Sequence, residues 1–264
     1  MNENYILAIE AAIEAGKVIM EIYDKDFQID FKNDNSPLTE ADTKANSVLM
    51  DYLIKTGIPI ISEENKQIPY QIRKDWTSCW MVDPLDGTKE FVKKNGEFTV
   101  NIALIKNQLP EFGVIYVPAT GVFYFGAVAE QKAFKGSVNH FNYVISDVLE
   151  KATEIKSDFT SNTIRIVGSR SHMNQDTLDF VENIKKETQK EIEMVSKGSS
   201  LKFCLVAEGS AAIYPRYAPT MEWDTAAGHA ICKATGLKVI DNTTTMEMRY
   251  NKENLLNSCF LVSK

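Results

Sequence analysis

The chain has 264 residues, 44% of them hydrophobic and 25% charged, a composition of ordinary globular proteins at a length that buries a self-sufficient core. Its net charge of −7 lacks the dense Lys/Arg surface that nucleic-acid binding demands, so nucleic acid is excluded as a partner. An anionic ligand would then need local positive charge, most simply a bound metal ion.

The N-terminus shows no basic region followed by an apolar run, and no later stretch approaches the roughly 18 apolar residues of a membrane span. A cytoplasmic protein without an integral membrane segment is expected. Ile6, Ile9, Ile13, Gly16 and Met20 recur at spacings of three and four and predict an amphipathic helix over 4–23. Phe27, Ile29 and Phe31 alternate as in a strand, and a turn-rich run at 33–37 precedes a second helix starting near Thr39. That helix shows Ala41, Ala45, Val48 and Tyr52 on one face, and a short strand over 58–62 follows it.

Between 79 and 128 the pattern changes to strands at 80–82, 98–106, 112–117 and 122–128, which predicts an antiparallel sheet. From 164 onward strands (164–167, 192–195, 211–214, 237–240) alternate with helices (175–186, 201–207, 224–234), an α/β pattern. The polar stretch 146–162 separates the two and predicts a boundary near 145, with domains of 1–145 and 146–264. Cys79, Cys204, Cys232 and Cys259 form no C-x-x-C pair, so reduced thiols are expected, not a zinc site or a disulfide framework.

The run VDPLDGTKEF (residues 82–91) carries the most chemistry. A strand ends at Asp83, the chain turns through Pro84, and a second acid stands at Asp86 before Gly87 and Thr88. Carboxylates suit hard cations such as Mg²⁺, and a glycine followed by a helix start suits a phosphate. Taken alone, the run favours metal binding, with an Asx-rich turn as the alternative. Glu63-Glu64, directly after the strand at 58–62, is by itself a solvated loop or a ligand pair, with Glu64 the weaker candidate. Asp224 in WDTAAG (residues 223–228) is by itself a helix cap or a third acid of one site.

Together these segments resemble the signature of the inositol monophosphatase superfamily of metal-dependent phosphatases. Within it the chain resembles the CysQ-type 3′(2′),5′-bisphosphate nucleotidases, through NSPLTEAD (35–42), DPLDGTKEF (83–91), NGEFTVNIAL (95–104), GSRSH (168–172), GSSLKFCLVAEG (198–209) and WDTAAGHAI (223–231). The resemblance implies a layered αβαβα fold that joins an N-terminal α+β half to a C-terminal α/β half. It also implies hydrolysis of 3′-phosphoadenosine 5′-phosphate to AMP and phosphate by metal-activated water. An inositol monophosphatase or other small sugar-phosphate phosphatase is the alternative within the superfamily, and peripheral inner-membrane association is compatible with the resemblance.

By the same resemblance, Glu63, Asp83, Asp86, Asp224 and the main-chain carbonyl of Leu85 hold two or three Mg²⁺ ions, while Asp42 and Thr88 form the catalytic pair. For Asp42 a capping role is also open, because Thr39-x-x-Asp42 loosely resembles a capping box. Glu63, Leu85, Asp86, Gly87, Thr88 and Asp224 face the phosphate being removed. Ser169, His172, Ser199, Lys202 and Arg216 surround the nucleotide, although a helix-borne Lys202 is equally a solvated charge and His172 a loop residue. His229 is expected to be structural. Two rival chemistries do not fit. Haloacid-dehalogenase-like phosphatases place their acids two residues apart, whereas Asp83 and Asp86 are three apart, and the 198–202 segment does not supply a P-loop. Retention of Thr88 and of every ligand acid argues against a non-catalytic sensor.

Overall fold

A computed structural model describes residues 1–25, 29–31, 37–159, 161–169, 173–188 and 190–264. The N-terminal elements are helix α1 (Glu3–Tyr23), strands β1 (Ile29–Phe31) and β2 (Pro37–Thr39), helix α2 (Glu40–Leu53), strand β3 (Ile60–Ser62) and helix α3 (Tyr70–Arg73). Strand β4 (Ser78–Asp86), helix α4 (Thr88–Val92) and strands β5 (Thr99–Lys106), β6 (Leu109–Val117), β7 (Val122–Ala127) and β8 (Lys132–Ser137) come next. Then follow helix α5 (Ile145–Glu150), strands β9 (Thr153–Ile155) and β10 (Ile164–Ser169), helix α6 (Gln175–Glu187), strand β11 (Ile192–Lys197) and helix α7 (Leu201–Ala207). The chain closes with strands β12 (Tyr214–Arg216) and β13 (Thr220–Met221), helix α8 (Glu222–Ala234), and strands β14 (Lys238–Asp241), β15 (Leu256–Asn257) and β16 (Phe260–Ser263).

Strands β3 to β9 form one seven-stranded sheet in chain order. Only β3 and β4 are parallel, and the crossover between them carries α3, as a parallel connection requires. Side chains alternate across each strand, so the sheet has two apolar faces. Trp80, Val82, Val100, Ile102, Phe112 and Val114 pack against α1 and α2, whereas Met81, Ala103, Ile105 and Ile115 pack against α7 and α8.

Where α8 crosses the second face, the sheet side chains shrink to hydrogen. A Cβ on Gly113 would fall 2.4 Å from the Ala227 carbonyl oxygen, and one on Gly126 would fall 2.7 Å from the Ile231 Cα. The small residues of WDTAAG have the same cause, because a Cβ on Gly228 would lie 2.3 Å from the Phe203 ring. Close packing of α8 on the sheet sets the height of Asp224 above the strand ends.

Beyond α7 and α8, β10 pairs in parallel with β11, and β16 pairs antiparallel with β12 and β14. A bridge between Ile166 and Ile213 ties these strands together, and α6 packs outside β12. The layers therefore run αβαβα, as the resemblance implies. Among the described residues no helix is long and apolar enough to cross a membrane, and all four cysteines are free.

Three expectations need correction. The strand predicted at 80–82 extends to Asp86, so both acids of the DPLDGT run lie on the strand itself. Pro84, which has no N–H for the ladder, coincides with a register shift between Asp83 and Asp86 and not with a turn. The polar stretch 146–162 contains most of α5 and the edge strand β9, whose half-exposed residues carry too little alternation to be legible. Strand β8 also escaped the pattern. The strand predicted from Phe27 lies within the described residues only from Ile29, and the 33–37 turn only at Pro37.

Candidate active site

Two strand ends and one helix start meet at the site. The parallel register of β3 and β4 sets Ser62 beside Val82, and the Glu63 N–H donates to the Val82 carbonyl at 3.1 Å, which places Glu63 next to Asp83. From the other side α8 delivers Asp224. The helix starts at Glu222, two residues before the predicted start, with Met221 as its cap. Asp224 Oδ2 accepts the otherwise free Met221 N–H at 2.8 Å. Carboxylate oxygens of Glu63, Asp83 and Asp224 all lie within 4.8 Å of one another.

Asp83 is buried, and Glu63 and Asp224 are half-buried. Burial pushes the Asp83 carboxyl well above the usual carboxylate range, and the charges of Glu63, Asp86 and Asp224 push it further. The Leu85 N–H, donating to Asp83 Oδ1 at 3.0 Å, opposes this only in part. Asp224 is raised in the same way, by loss of solvent first and by Asp86 next, and Arg216 is a lesser opposing influence. Acids packed together and offering only oxygen fit a hard divalent cation. Asp86 lies outside the tight triplet, yet its charge acts on both Asp83 and Asp224. Glu64 is also outside the triplet.

Thr88 and Asp42 meet from opposite ends of the N-terminal half. Gly87, at φ +91°, turns the chain after Asp86 so that Thr88 opens α4. The Thr88 hydroxyl donates to Asp42 Oδ1 at 3.2 Å, with the Leu85 carbonyl 3.4 Å away. Asp42 Oδ2 accepts both the Thr39 N–H at 2.8 Å and the Thr39 hydroxyl at 2.7 Å. Asp42 thus caps α2 with one carboxylate oxygen and accepts from Thr88 with the other.

A cavity of about 370 Å³ opens beside these groups, lined among others by Ser169, Ser199, Lys202, Tyr214 and Arg216. Glu63, Asp86, Gly87, Thr88 and Asp224 share its wall, while Asp83 and Leu85 are not part of its lining. Lys202 is 4% exposed, so the solvated alternative falls; its ammonium bonds the Ser199 carbonyl and lies 5.7 Å from the Tyr214 ring centre. Burial draws the Lys202 ammonium down to about 8, with Asp86 resisting and Arg216 adding to the fall. Arg216 is held by the carbonyls of Ala218 and Pro219, each at 3.1 Å. His172 lies outside the described residues. His229 is remote from the cavity, buried between the Tyr250 hydroxyl at 3.0 Å and Glu247 at 3.2 Å.

The sequence reading missed Thr99, Asn101 and Ser200, which sit buried around Asp86 and Ser199. Their signal was present: Thr99 and Asn101 are two polar residues on one face of an otherwise apolar strand. Tyr214 and Glu222 were missed as well. Glu222 is fully buried beside the site, but Lys252 neutralises it.

Over residues 1–259 the chain matches the inositol monophosphatase family, and it belongs to that family. It is 42% identical over 258 residues to the 3′(2′),5′-bisphosphate nucleotidase CysQ of Shigella flexneri, spanning 96% of this chain and 97% of that protein. The nucleotidase of the same name from Escherichia coli K12 is 41% identical over the same shares. The crystal structure of CysQ from Bacteroides thetaiotaomicron, a bacterial member of the inositol monophosphatase family, matches with a TM-score of 0.89 at 45% identity. That match covers 100% of this chain and 97% of the other. The extragenic suppressor protein suhB of Bartonella henselae, at 20% identity, shares the fold with a TM-score of 0.75 over 100% of this chain and 94% of its own.

Proposed function

We infer that the protein is a divalent-cation-dependent 3′(2′),5′-bisphosphate nucleotidase that removes the 3′-phosphate of 3′-phosphoadenosine 5′-phosphate and leaves AMP. The observation that carries this reading is the convergence of Glu63, Asp83 and Asp224 within 4.8 Å, beside a cavity that also holds Lys202 and Arg216. The name shared by relatives that match along nearly their whole length supports the substrate class.

Glu63, Asp83, Asp86, Asp224 and the Leu85 carbonyl would hold Mg²⁺, in two or three ions. When bound, such ions neutralise phosphate oxygens and acidify water. The chain's own groups do the rest. A hydroxyl has one proton and two lone pairs, so a Thr88 that donates to Asp42 can accept a hydrogen bond from water and fix its orientation. Asp42, already holding Thr39 through its other oxygen, is locked in position to stabilise the proton leaving that water. The main-chain N–H groups of Gly87 and Thr88, at the start of α4, would donate to the phosphate being removed. Lys202 and Arg216 supply positive charge for the phosphate that is retained, and Ser169 adds a polar group on the same wall. A cytoplasmic location belongs to this reading.

Phosphate release by the purified protein tests it, with 3′-phosphoadenosine 5′-phosphate compared against inositol 1-phosphate and fructose 1,6-bisphosphate, with and without Mg²⁺. Mg²⁺-dependent release favouring the nucleotide is expected. Preference for inositol 1-phosphate would contradict the nucleotidase reading and leave the cation chemistry standing.

A further inference from the structure

Two turns adjoin in the cavity wall, Gly87–Thr88 at the start of α4 and 198–200 ahead of α7. Glu97 is not part of the lining but lies against both. A Cβ on Gly87 would fall 3.2 Å from the Glu97 carbonyl oxygen, and one on Gly198 would fall 2.9 Å from the same atom. Glycine at both positions lets the two turns close on one stretch of main chain.

The Glu97 carboxylate then grips the second turn. Its Oε2 accepts the Gly198 N–H at 2.8 Å, and its Oε1 lies 3.2 Å from the Lys197 ammonium. Gly198 is buried, so its N–H needs an acceptor, and a carboxylate is a strong one. The Lys197 ammonium is partly exposed, which makes that ion pair the weaker of the two contacts. Glu97 is itself anchored to α4. Asn95 Oδ1 accepts the Glu97 N–H at 2.9 Å, and Asn95 Nδ2 donates to Glu90 Oε2 at 2.5 Å. The next residue, Phe98, is fully buried against Phe91, with ring centres 5.2 Å apart.

What the gripped turn carries is Lys202. The Lys202 ammonium donates to the Lys197 carbonyl at 3.4 Å and to the Ser199 carbonyl. The Lys197 carbonyl and the Gly198 N–H belong to one peptide group. That group is planar, so fixing its N–H on Glu97 also fixes the direction of its C=O toward Lys202. A carboxylate outside the cavity is thereby coupled through one rigid unit to an ammonium inside it.

We propose that Glu97 is a positioning residue for the nucleotide end of the cavity: through the 197–198 peptide it holds Lys202 in place for the phosphate that is retained. The proposal rests on the reading of Lys202 as a phosphate-binding residue given above. Steady-state kinetics at saturating Mg²⁺ test it, with 3′-phosphoadenosine 5′-phosphate compared against adenosine 3′-phosphate, which lacks the retained phosphate. Mn²⁺ binding to the metal-free protein, followed by electron paramagnetic resonance, reports separately on the acid cluster. Glu97→Ala removes the acceptor, Glu97→Gln keeps an oxygen for the Gly198 N–H, and Lys202→Met is the control. Contacts of Ser199 and Ser200 with Thr99 remain in both Glu97 variants, so the turn is loosened and not lost.

Glu97→Ala should raise KM for the bisphosphate by up to the roughly ten-fold expected on losing Lys202 itself, the worth of one charge-assisted hydrogen bond. Its kcat, its KM for adenosine 3′-phosphate and its Mn²⁺ affinity should stay at wild-type values, and Glu97→Gln should restore KM to within two-fold, on the order of the small worth of a partly exposed ion pair. An unchanged KM for the bisphosphate in Glu97→Ala would overturn the proposal. So would an equal rise for both substrates, or weakened Mn²⁺ binding, since either would place the effect elsewhere in the cavity. If Lys202→Met leaves KM for the bisphosphate unchanged, the reading of Lys202 fails first and takes the proposal with it.

Discussion

Asp83 and Glu222 are both buried acids, 1% and 0% exposed, and burial is the main cause of the raised pKa of each. Their partners differ. Glu222 Oε1 accepts the Lys252 ammonium at 2.6 Å and the Lys252 N–H at 3.0 Å, while Oε2 accepts the Asn251 N–H. Asp83 receives one backbone N–H and otherwise faces Glu63, Asp86 and Asp224. A buried charge is costly unless something compensates it. Glu222 finds its compensation inside the chain and serves as scaffold for the start of α8, whereas for Asp83 the proposed function assigns that role to a bound cation. Asp224 lies two residues from Glu222 on the same helix, and the 3.6-residue period turns the two acids to different sides.

Asp83→Asn tests this contrast with the largest effect. Losing a cation ligand forfeits several kcal/mol of transition-state stabilisation, so kcat/KM should fall by roughly 10³-fold or more. The metal-free variant should nevertheless melt higher than the metal-free wild type, because one of the crowded charges has gone. Thr88→Val separates holding the cation from orienting water: kcat should drop by roughly 10²-fold with Mn²⁺ affinity unchanged. Lys252→Met should act in the opposite sense to Asp83→Asn on stability. It strands Glu222 and should cost about 3 kcal/mol, the lower end for a broken buried pair because Lys252 is itself partly solvated. Denaturant melts of both variants decide the matter, and the same sign of change in the two would break the comparison.

Proton linkage gives a smaller effect. In the folded metal-free protein Asp83 holds its proton to higher pH than in the unfolded chain. Its contribution to stability is therefore present below the ordinary carboxylate range and is lost as pH rises through the raised folded value. Melts with chelator should show stability falling with pH by at most about 1.4 kcal/mol per pH unit for one extra proton. Mg²⁺ or Asp83→Asn should flatten that slope. Lys202→Met should raise KM by roughly ten-fold, the worth of one charge-assisted hydrogen bond. Wild-type KM should also climb as pH passes about 8, where the Lys202 ammonium loses its proton, and the variant should lack that inflection.

Much of the fold was legible because periodicity reports burial. Helix α1 and helix α7 stand within a residue of their predicted bounds, and β5 to β7 follow the alternation that the two-faced sheet imposes. Strand β9 and α5 were not legible, since an exposed edge selects no pattern. Within the site, the acids were conspicuous because few residue types can serve a hard cation. The hydroxyls around Asp86 were not, for Thr99 and Asn101 resemble solvent-facing polar residues until the fold brings Ser199 from 113 residues away. Lys202 has the same character, since only the packing of α7 against Tyr214 reveals that its helix face is interior.

Diffraction from crystals soaked in Mn²⁺, recorded at the manganese absorption edge, addresses the acid cluster most directly. Anomalous density should appear between the carboxylates of Glu63, Asp83 and Asp224. Density confined to other sites, with these three carboxylates bonded only to one another and to protein donors, would contradict the account.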